Sequence, residues 1–593
     1  MKNLNTNKIL IGAFIILTLL ISLTGEVFSQ LRSDEVHDKI SGAIVYITSY
    51  DGSGDYNNQG SGVVVDPSGV IWTNFHLFDK DCRMNLEIDG TTYYNPKIIG
   101  ANPEKDILIL KLNEELKYYI KPVSTIDIKK GSEVYAYGNP FSISNTFSDG
   151  VLSNIYQFPF KDQIFLQYTA SISGGSSGGA LVNSNGELIG ITCSSYKDVG
   201  VQTLNFAVRS DDFLNTKIIS PDDPKAVSAM HEYCIAYDLY SRSDYVRCID
   251  LLEGYIACFP DDANVYYLKG ICYSNVGNYK KAIDNFTIAV DLNDHDAKFF
   301  RERGYSYMKD DKLTDASKDF DRSLNLRNND PQTYFYLAFM DYEYLGYYDN
   351  AIKYCDKALE LNYDDPYPYS LKGDIYLKKG DTISAMTNYY NSIYTDSTYV
   401  IAYEKLAEIY FTQRKYTESA YNYSYMIKFS QESFLSSKVF YRRAVSYKNS
   451  KHINKAIEDL KEALSQDYYD NDNYFTALGY CYIDTKDYES AKKELLKALE
   501  KNKKNVETYL ALAIVSFMSK DFDEADEYME KTVRLKPLMK KGKVEIVKLN
   551  NKLNIRLDQD QLEIVYELLN RLGYEVSYGS YFKNDKTADP AEK

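Results

Sequence analysis

Three side chains in the first third of the chain have the types that acyl-transfer chemistry requires. Ser177 lies in the glycine-rich segment GGSSGG, directly before an apolar run. Backbone N–H groups stabilise a developing oxyanion best where no side chain blocks their approach, so such a segment suits a nucleophile. His76 ends the segment GSGVVVDPSGVIWTNFH, and Asp106 directly precedes ILILKL. The order His, Asp, Ser is that of chymotrypsin-type base, orienting carboxylate and nucleophile.

The elements that must position these residues are short β-strands. Between Ile40 and Arg209, apolar runs of five to eight residues rich in Val, Ile and Tyr alternate with turns such as DPSG and NSNG. This pattern predicts an all-β barrel or sandwich over residues 30–215. The segment ISPDDPKAV then breaks the pattern with two prolines, which predicts a linker over residues 216–226.

The segments around the three residues resemble the HtrA/Deg family of trypsin-like serine proteases, which act on damaged proteins in bacterial envelopes. The matching segments run in the family's order through most of residues 40–210: GSGVVVDPSGVIWTNFH, NPEKDILILKL, YGNPF, DGVLSNI, GGSSGGALVNSNGELIGI and NFAV. The resemblance implies two β-barrels with His76, Asp106 and Ser177 in the cleft between them. It also implies an oxyanion hole formed by the amides of Gly175 and Ser177.

The sequence departs from the family pattern next to two of the triad residues. Gly174 stands where Pro is usual, Ser176 stands where Asn is usual, and Phe75 replaces a usual Asn ahead of His76. Because glycine adds backbone freedom, we expect Gly174 to loosen the oxyanion loop. An inactive resting conformation would then be easier to populate.

The resemblance also indicates where the primary specificity pocket lies. In trypsin-like enzymes its base is set six residues before the nucleophile, here at Ser171, and Ile172 follows. The strand that contains Asn205, Phe206 and Ala207 would form one wall. An uncharged, apolar pocket favours burial of aliphatic side chains and leaves a cation unpaired. We therefore expect cleavage after Val, Ala, Ile or Leu, and very little after Arg or Lys.

Beyond the linker, small residues recur at nearly constant spacing. One set falls at Ala236, Gly270, Gly304, Ala338, Gly373, Ala407, Ala444, Gly479 and Ala513. A second set, spaced 34, 34, 35, 34, 34, 37, 35 and 34 residues apart, falls at Cys248, Ala282, Ala316, Ala351, Ala385, Ser419, Ala456, Ala491 and Ala525. This resembles the tetratricopeptide repeat (TPR), a helix–turn–helix with small residues where its helices cross.

The repeats define the second half of a multidomain fold. We predict nine repeats over residues 227–540, which form an all-α solenoid after the all-β trypsin-like double barrel. The solenoid's concave groove would bind an extended chain or a helix of a protein partner. The repeats occupy the place of the family's peptide-binding PDZ modules. Capping helices are expected over residues 541–575, with Asp558 as an N-cap, before a disordered tail, 576–593.

The N-terminus is typical of an export signal. Lys2 and Lys8 precede an apolar stretch at residues 9–23, and Val27 and Ser29 suit a cleavage site that removes residues 1–29. Fifteen apolar residues are few for a membrane span, which needs about 20, although an uncleaved anchor stays an alternative. The protein is therefore expected to be exported, to the periplasm or to the medium, and to contact a membrane only if this segment is retained.

Composition excludes some partners and leaves the state of the thiols open. The net charge of −16, with no Lys/Arg block, disfavours nucleic acid. The sequence shows no Cys/His metal spacing, and no cofactor or metal is expected. The eight cysteines favour buried free thiols, with Cys234–Cys272 or Cys248–Cys258 bridges as alternatives.

Two classes of function fit these observations. The first is an exported serine endopeptidase that cleaves unfolded or partner proteins through an acyl-enzyme, while its repeats recruit substrate or a partner. The second is a TPR interaction scaffold with a catalytically inactive protease-like domain. Reaction with a fluorophosphonate distinguishes the two, because only an activated serine reacts with it.

Overall fold

The computed structural model describes most of the chain between residues 31 and 577. The described residues are 31–50, 56–78, 83–138, 146–157, 163–173, 175–196, 204–362, 364–430, 436–466, 471–535, 543–545, 550, 553 and 556–577. The predicted export signal, Gly174 and residues 578–593 of the predicted tail lie outside them. Two compact units, Met1–Tyr336 and Leu337–Lys593, make up the chain.

The first sheet is antiparallel and has seven strands in the order β5-β4-β1-β2-β3-β7-β6. Alternating or continuous Val, Ile and Leu supply its buried face, as expected for strands that pack on a core. A short helix, α1 (Ser33–Ile40), precedes it. The strands are β1 (Ile44–Tyr50), β2 (Tyr56–Asp66), β3 (Val70–Thr73), β4 (Arg83–Ile88), β5 (Thr91–Tyr94), β6 (Lys97–Asn102) and β7 (Ile107–Lys111).

The second sheet closes into a barrel in the order β10-β13-β12-β11-β8-β9. Its strands are β8 (Glu133–Gly138), β9 (Thr146–Gln157), β10 (Ile164–Tyr168), β11 (Ala180–Asn183), β12 (Leu188–Tyr196) and β13 (Leu204–Arg209). Apolar side chains such as Val134, Leu166, Leu181 and Ala207 fill one contiguous cluster of this barrel. The prediction of a trypsin-like all-β fold is confirmed.

After β13, the regular elements of the described chain are helices, apart from two short strands near its end. After α2 (Ser210–Leu214), the helices are α3 (Pro224–Ser241), α4 (Tyr245–Cys258), α5 (Ala263–Asn275), α6 (Tyr279–Leu292), α7 (Ala297–Lys309), α8 (Leu313–Leu326), α9 (Pro331–Met340), α10 (Tyr348–Leu361), α11 (Pro366–Lys378), α12 (Thr382–Thr395), α13 (Val400–Thr412), α14 (Tyr416–Phe429), α15 (Ser437–Asn449), α16 (Ile453–Gln466), α17 (Asp472–Asp484), α18 (Tyr488–Lys501), α19 (Val506–Met518) and α20 (Phe522–Leu535). Helices joined by short turns follow one another as the TPR pattern predicts. The first repeat helix, α3, begins at Pro224, inside the predicted linker.

The small residues of the repeat stand where paired helices meet. A Cβ atom on Gly270 of α5 would lie 2.7 Å from the Phe286 ring of α6, so a larger side chain would push the two helices apart. The 35-residue spacing between Ala316 and Ala351 also has a structural counterpart. A π-helical turn, Asp341–Leu345, extends α9, and such a turn holds more residues than an α-helical one.

The repeat pattern ends with one further helix, α21 (Gln559–Arg571). Its N-cap is Asp558, as predicted, and its carboxylate accepts a hydrogen bond from the amide of Gln561 (2.8 Å). Two short strands, β14 (Lys543–Glu545) and β15 (Glu575–Ser577), pair in parallel beside it.

The buried cysteines of the described chain form no disulfide bonds, whereas Cys82 lies outside the described residues. The bridges considered as alternatives, Cys234–Cys272 and Cys248–Cys258, are not formed. The sulfur of Cys272 lies instead 3.4 Å from that of Cys248, between α4 and α5. No helix in the described ranges combines the length and the apolar character that crossing a membrane requires.

Candidate active site

Asp106 ends a 3₁₀ turn, Pro103–Lys105, which joins β6 to β7. The Asn102 side chain caps this turn by accepting a hydrogen bond from the amide of Lys105 (3.2 Å). Asp106 itself has a left-handed backbone, with φ at 57°, in a region that Asp and Asn enter more readily than most residues. The turn thus ends with a carboxylate at the start of an apolar strand, as the sequence predicted.

His76 lies at the centre of a second 3₁₀ turn, Phe75–Leu77, after β3. Its Nδ1 atom is 3.0 Å and 2.9 Å from the two carboxylate oxygens of Asp106. Its backbone amide also donates to Asp106 Oδ1 (2.9 Å). Because the carboxylate accepts the Nδ1–H proton, the neutral ring carries its lone pair on Nε2. The structure therefore joins two of the three predicted triad residues in the arrangement of a base and its orienting acid.

The backbone holds these two turns together as well. The amide of Phe75 donates to the carbonyl of Asp106 (3.2 Å), and the Asn74 side-chain amide donates to the same oxygen (3.3 Å). The His76 side chain stays 45% exposed and that of Asp106 30% exposed. The imidazole is thus fixed in orientation and yet accessible to a reacting group.

Ser177 lies on a tight turn that is held from two sides. On one side, the amide of Ser61 in β2 donates to the carbonyl of Ser177 (2.7 Å). On the other side, the amide of Gly178 donates to the carbonyl of Thr192 in β12 (2.8 Å). The Thr73 hydroxyl in turn donates to the carbonyl of Ser61 (2.7 Å). Since Thr73 is only three residues before His76, the same strands support the serine and the histidine.

The turn also orients one of the two amides that were predicted to form the oxyanion hole, that of Ser177. The carbonyl of Ser176 accepts hydrogen bonds from the Thr192 hydroxyl (2.5 Å) and from the Gly179 amide (3.0 Å). In a trans peptide the C=O and N–H groups point in opposite directions, so the Ser177 amide points away from Thr192. The carbonyl of Gly175 accepts from the Ser61 hydroxyl (3.0 Å). The departure at Gly174 lies outside the described residues.

The predicted pocket residues do not all share one face. Asn205 and Ala207 point to the same side of β13, whereas Phe206 points to the other side, where it contacts the rings of Phe165 and Tyr156. Ile172 packs against the interior cluster of the barrel, to which Ala207 also belongs. The carbonyl of Ser171 accepts from the Ser148 hydroxyl (2.7 Å).

Two buried polar atoms beside the predicted pocket were not foreseen from the sequence. Tyr168 stands directly opposite Asn205 across the β10–β13 pair. The Tyr168 hydroxyl and the Oδ1 atom of Asn205 are both buried, and neither has a hydrogen-bond partner among the residues that the structure describes. Burial raises the pKa of Tyr168 well above its usual value, which keeps its hydroxyl neutral. The Asn205 amide nitrogen, in contrast, donates to the carbonyl of Ala170 (2.7 Å).

Known families match both halves of the chain. The family model of the trypsin-like peptidase domain matches residues 60–191, and models of the tetratricopeptide repeat match residues 251–284, 342–365, 437–469 and 473–505. The predicted resemblance to a trypsin-like peptidase followed by TPR repeats is thereby confirmed.

Individual relatives match between a quarter and a third of this chain. The serine endoprotease DegS of Haemophilus influenzae is 33% identical over 162 residues, which are 26% of this chain and 48% of that protein. The periplasmic serine endoprotease DegP of Escherichia coli is 33% identical over 158 residues, or 26% of this chain and 33% of that protein. A solved serine endoprotease from Yersinia pestis is 27% identical, with a TM-score of 0.28, over 31% of this chain and 64% of its own. The chain spans less than half the length of these two curated relatives.

Proposed function

We propose that the protein is an exported serine endopeptidase that cleaves unfolded or partner proteins. Ser177 is the nucleophile, His76 is the general base and Asp106 orients the base. The observation that carries the proposal is the contact of His76 Nδ1 with both oxygens of the Asp106 carboxylate, at 3.0 Å and 2.9 Å, which makes Nε2 the basic nitrogen of the neutral ring. A histidine with a merely structural role has no need of an exposed ring held in one tautomer.

The reaction follows from these roles. The hydroxyl oxygen of Ser177 attacks the peptide carbonyl carbon while its proton passes to His76 Nε2. The amides of Gly175 and Ser177 stabilise the resulting oxyanion. The imidazolium then gives its proton to the leaving amine, so that the C–N bond breaks and an ester of Ser177 remains. A water molecule, deprotonated by His76, hydrolyses this ester and restores the serine.

Partners and location belong to the same proposal. We assign protein or peptide substrates to the peptidase half and a protein partner to the groove of the TPR repeats, because stacked helical hairpins offer a long surface for another chain. Export rests on the signal-like residues 1–29 and is consistent with the relative that is described as periplasmic. The reaction uses no metal or cofactor.

A fluorophosphonate probe tests the proposal directly. The full chain should become labelled on Ser177, and Ser177→Ala should abolish labelling and reduce casein cleavage by at least about 10³-fold, at an unchanged melting temperature. Ser153→Ala is the matched control, since Ser153 is another serine with a surface-exposed hydrogen bond in this domain. A wild-type chain that neither reacts with the probe nor cleaves casein would instead support the TPR scaffold with an inactive protease-like domain.

A further inference from the structure

The turns that carry His76 and Asp106 both contact helices of the repeats. The Phe75 ring meets the Tyr237 ring of α3 edge to face, with 5.6 Å between centroids and an angle of 83°. Phe78, on the other side of His76, meets the His231 ring of the same helix at 5.9 Å. Glu104, two residues before Asp106, is paired with Lys298 of α7 (2.7 Å). All of these residues belong to the first compact unit.

Phe75 is the residue through which α3 can act on the site. It is covalently joined to His76, and its amide donates to the carbonyl of Asp106 (3.2 Å). Phe75 is buried, with 8% of the residue exposed, and the Tyr237 and Phe78 rings pack on its ring. A shift of Phe75 therefore moves the base and disturbs its orienting acid at once. Phe75 thus stands where the family usually has Asn, and its ring contacts an aromatic side chain of the repeats.

The Asp106 turn depends on outside support for a different reason. The left-handed backbone of Asp106 (φ 57°) costs a non-glycine residue free energy, so neighbouring contacts have to maintain it. Within the peptidase half, the Gln163 side chain donates to the carbonyl of Lys105 (2.8 Å), and Lys105 pairs with Asp212 (2.6 Å). From the repeats, Lys298 pairs with Glu104. The Lys298 ammonium also lies over the Tyr267 ring, 4.8 Å from its centroid, which fixes the position of the cation.

We propose that Tyr237 and Lys298 are positioning residues for catalysis. Tyr237 holds the His76 turn through Phe75, and Lys298 holds the Asp106 turn through Glu104. The first helical hairpins are then a part of the catalytic apparatus besides any role in recruitment. This inference rests on the proposed peptidase function, and a separable experiment tests it.

The first test compares two substitutions of Tyr237 in the full chain. Tyr237→Leu removes the ring that supports Phe75, whereas Tyr237→Phe keeps it. We expect Tyr237→Leu to lower the second-order rate constant of fluorophosphonate labelling about tenfold, since small displacements of reacting groups slow chemistry steeply. The labelling end point should stay unchanged, and Tyr237→Phe should be labelled at the wild-type rate. Tyr273→Leu is the matched control, because the Tyr273 ring contacts Lys281 within the repeats.

The second test uses the ion pair, so that the inference does not depend on how well Tyr237→Leu folds. Lys298→Met and Glu104→Gln should each slow labelling about threefold, as expected for a partly exposed pair, and the double variant should be no slower than either single one. Lys318→Met is the matched control, since Lys318 pairs with Asp315 on an exposed helix surface (3.2 Å).

Each outcome decides between the proposals. If the wild type labels and the Tyr237 and Lys298 variants label at its rate, the positioning roles are refuted while the peptidase function stands. If the variants lower only the end point, or if the control variants slow labelling equally, the contacts serve stability alone and the inference is wrong. A wild-type chain that does not label at all overturns the proposed function and the positioning roles with it.

Discussion

Replacing Gly178 by alanine perturbs the turn that carries Ser177, here called the nucleophile turn, at its most crowded point. An added Cβ atom would lie 1.9 Å from the carbonyl oxygen of Ser61 and 2.5 Å from the Thr73 hydroxyl. Such contacts do not form below 3.0 Å, so the turn and β2 have to separate by about 1 Å. The separation strains or breaks the hydrogen bond from the Ser61 amide to the Ser177 carbonyl (2.7 Å).

The expected loss of activity follows from this displacement. A misplacement of about 1 Å at a reacting group can cost about 10²-fold in rate, and we expect labelling of Ser177 by a fluorophosphonate to slow by this factor. The left-handed backbone of Gly178 (φ +87°) adds a stability cost of about 1–2 kcal/mol for any residue with a Cβ. Labelling rate and melting temperature, measured on the same samples, separate the two effects.

Gly131→Ala is the matched control for the backbone cost. Gly131 has nearly the same backbone angle (φ +86°), and its added Cβ would meet nothing within 4 Å. Gly131→Ala should therefore lower the melting temperature without slowing labelling. If Gly178→Ala labels as fast as Gly131→Ala, the crowding between the nucleophile turn and β2 does not position Ser177, and the geometric reasoning is wrong.

Three further predictions concern the base, the pocket and acid stability. Asp106→Asn offers His76 an NH₂ group that favours the wrong tautomer, and casein cleavage should fall about 10⁴-fold with little change in melting temperature. Because Ser171 brings no charge to the pocket, peptides released from a denatured substrate should end in Val, Ala, Ile or Leu, and a majority of Arg/Lys ends in mass spectrometry would contradict this. Burial opposes ionisation of Asp211, yet hydrogen bonds from a neighbouring threonine, arginine and serine hold the pKa of its carboxyl well below its usual 3.8. Its charge therefore stabilises the fold above that usual value and ceases to do so as the pH falls through the folded-state pKa, so Asp211→Asn should lower the melting temperature at neutral pH and lose this effect in strong acid.

Local pattern was sufficient to predict the contact between His76 and Asp106, because each residue adjoins a strand that the pattern also predicts. His76 follows β3 and Asp106 precedes β7. These strands pair antiparallel, with Thr73 opposite Leu108, so the end of one and the start of the other lie at the same edge of the sheet. Two apolar runs and their flanking polar residues therefore indicate the contact, although the pairing itself is a property of the whole fold.

The supports of the site could not be predicted in the same way, because they join residues that are far apart in sequence. Ser61 binds the nucleophile turn from a position 116 residues before Ser177, and a serine between two glycines of a strand carries no sign of this role. The regular spacing of small residues in the repeats predicts packing between repeat helices. It could not show that the Tyr237 ring also contacts Phe75, since this depends on how the first hairpin lies against the sheet.

The boundary in composition between the two halves is not a boundary in packing. Residues 216–226 mark the change from strand to helix periodicity, yet the amide of Ile219 donates to the carbonyl of Ile99 in β6 (2.8 Å). One cluster of buried side chains continues from the first sheet into α3, α4 and α5. A peptidase fragment cut at residue 215 would thus expose Phe75 and Phe78 beside His76. It would also lose the contacts of Tyr237 with Phe75 and of Lys298 with Glu104. Inactivity of such a fragment would therefore not count against the triad, and only variants in the full chain separate a missing nucleophile from a misplaced one.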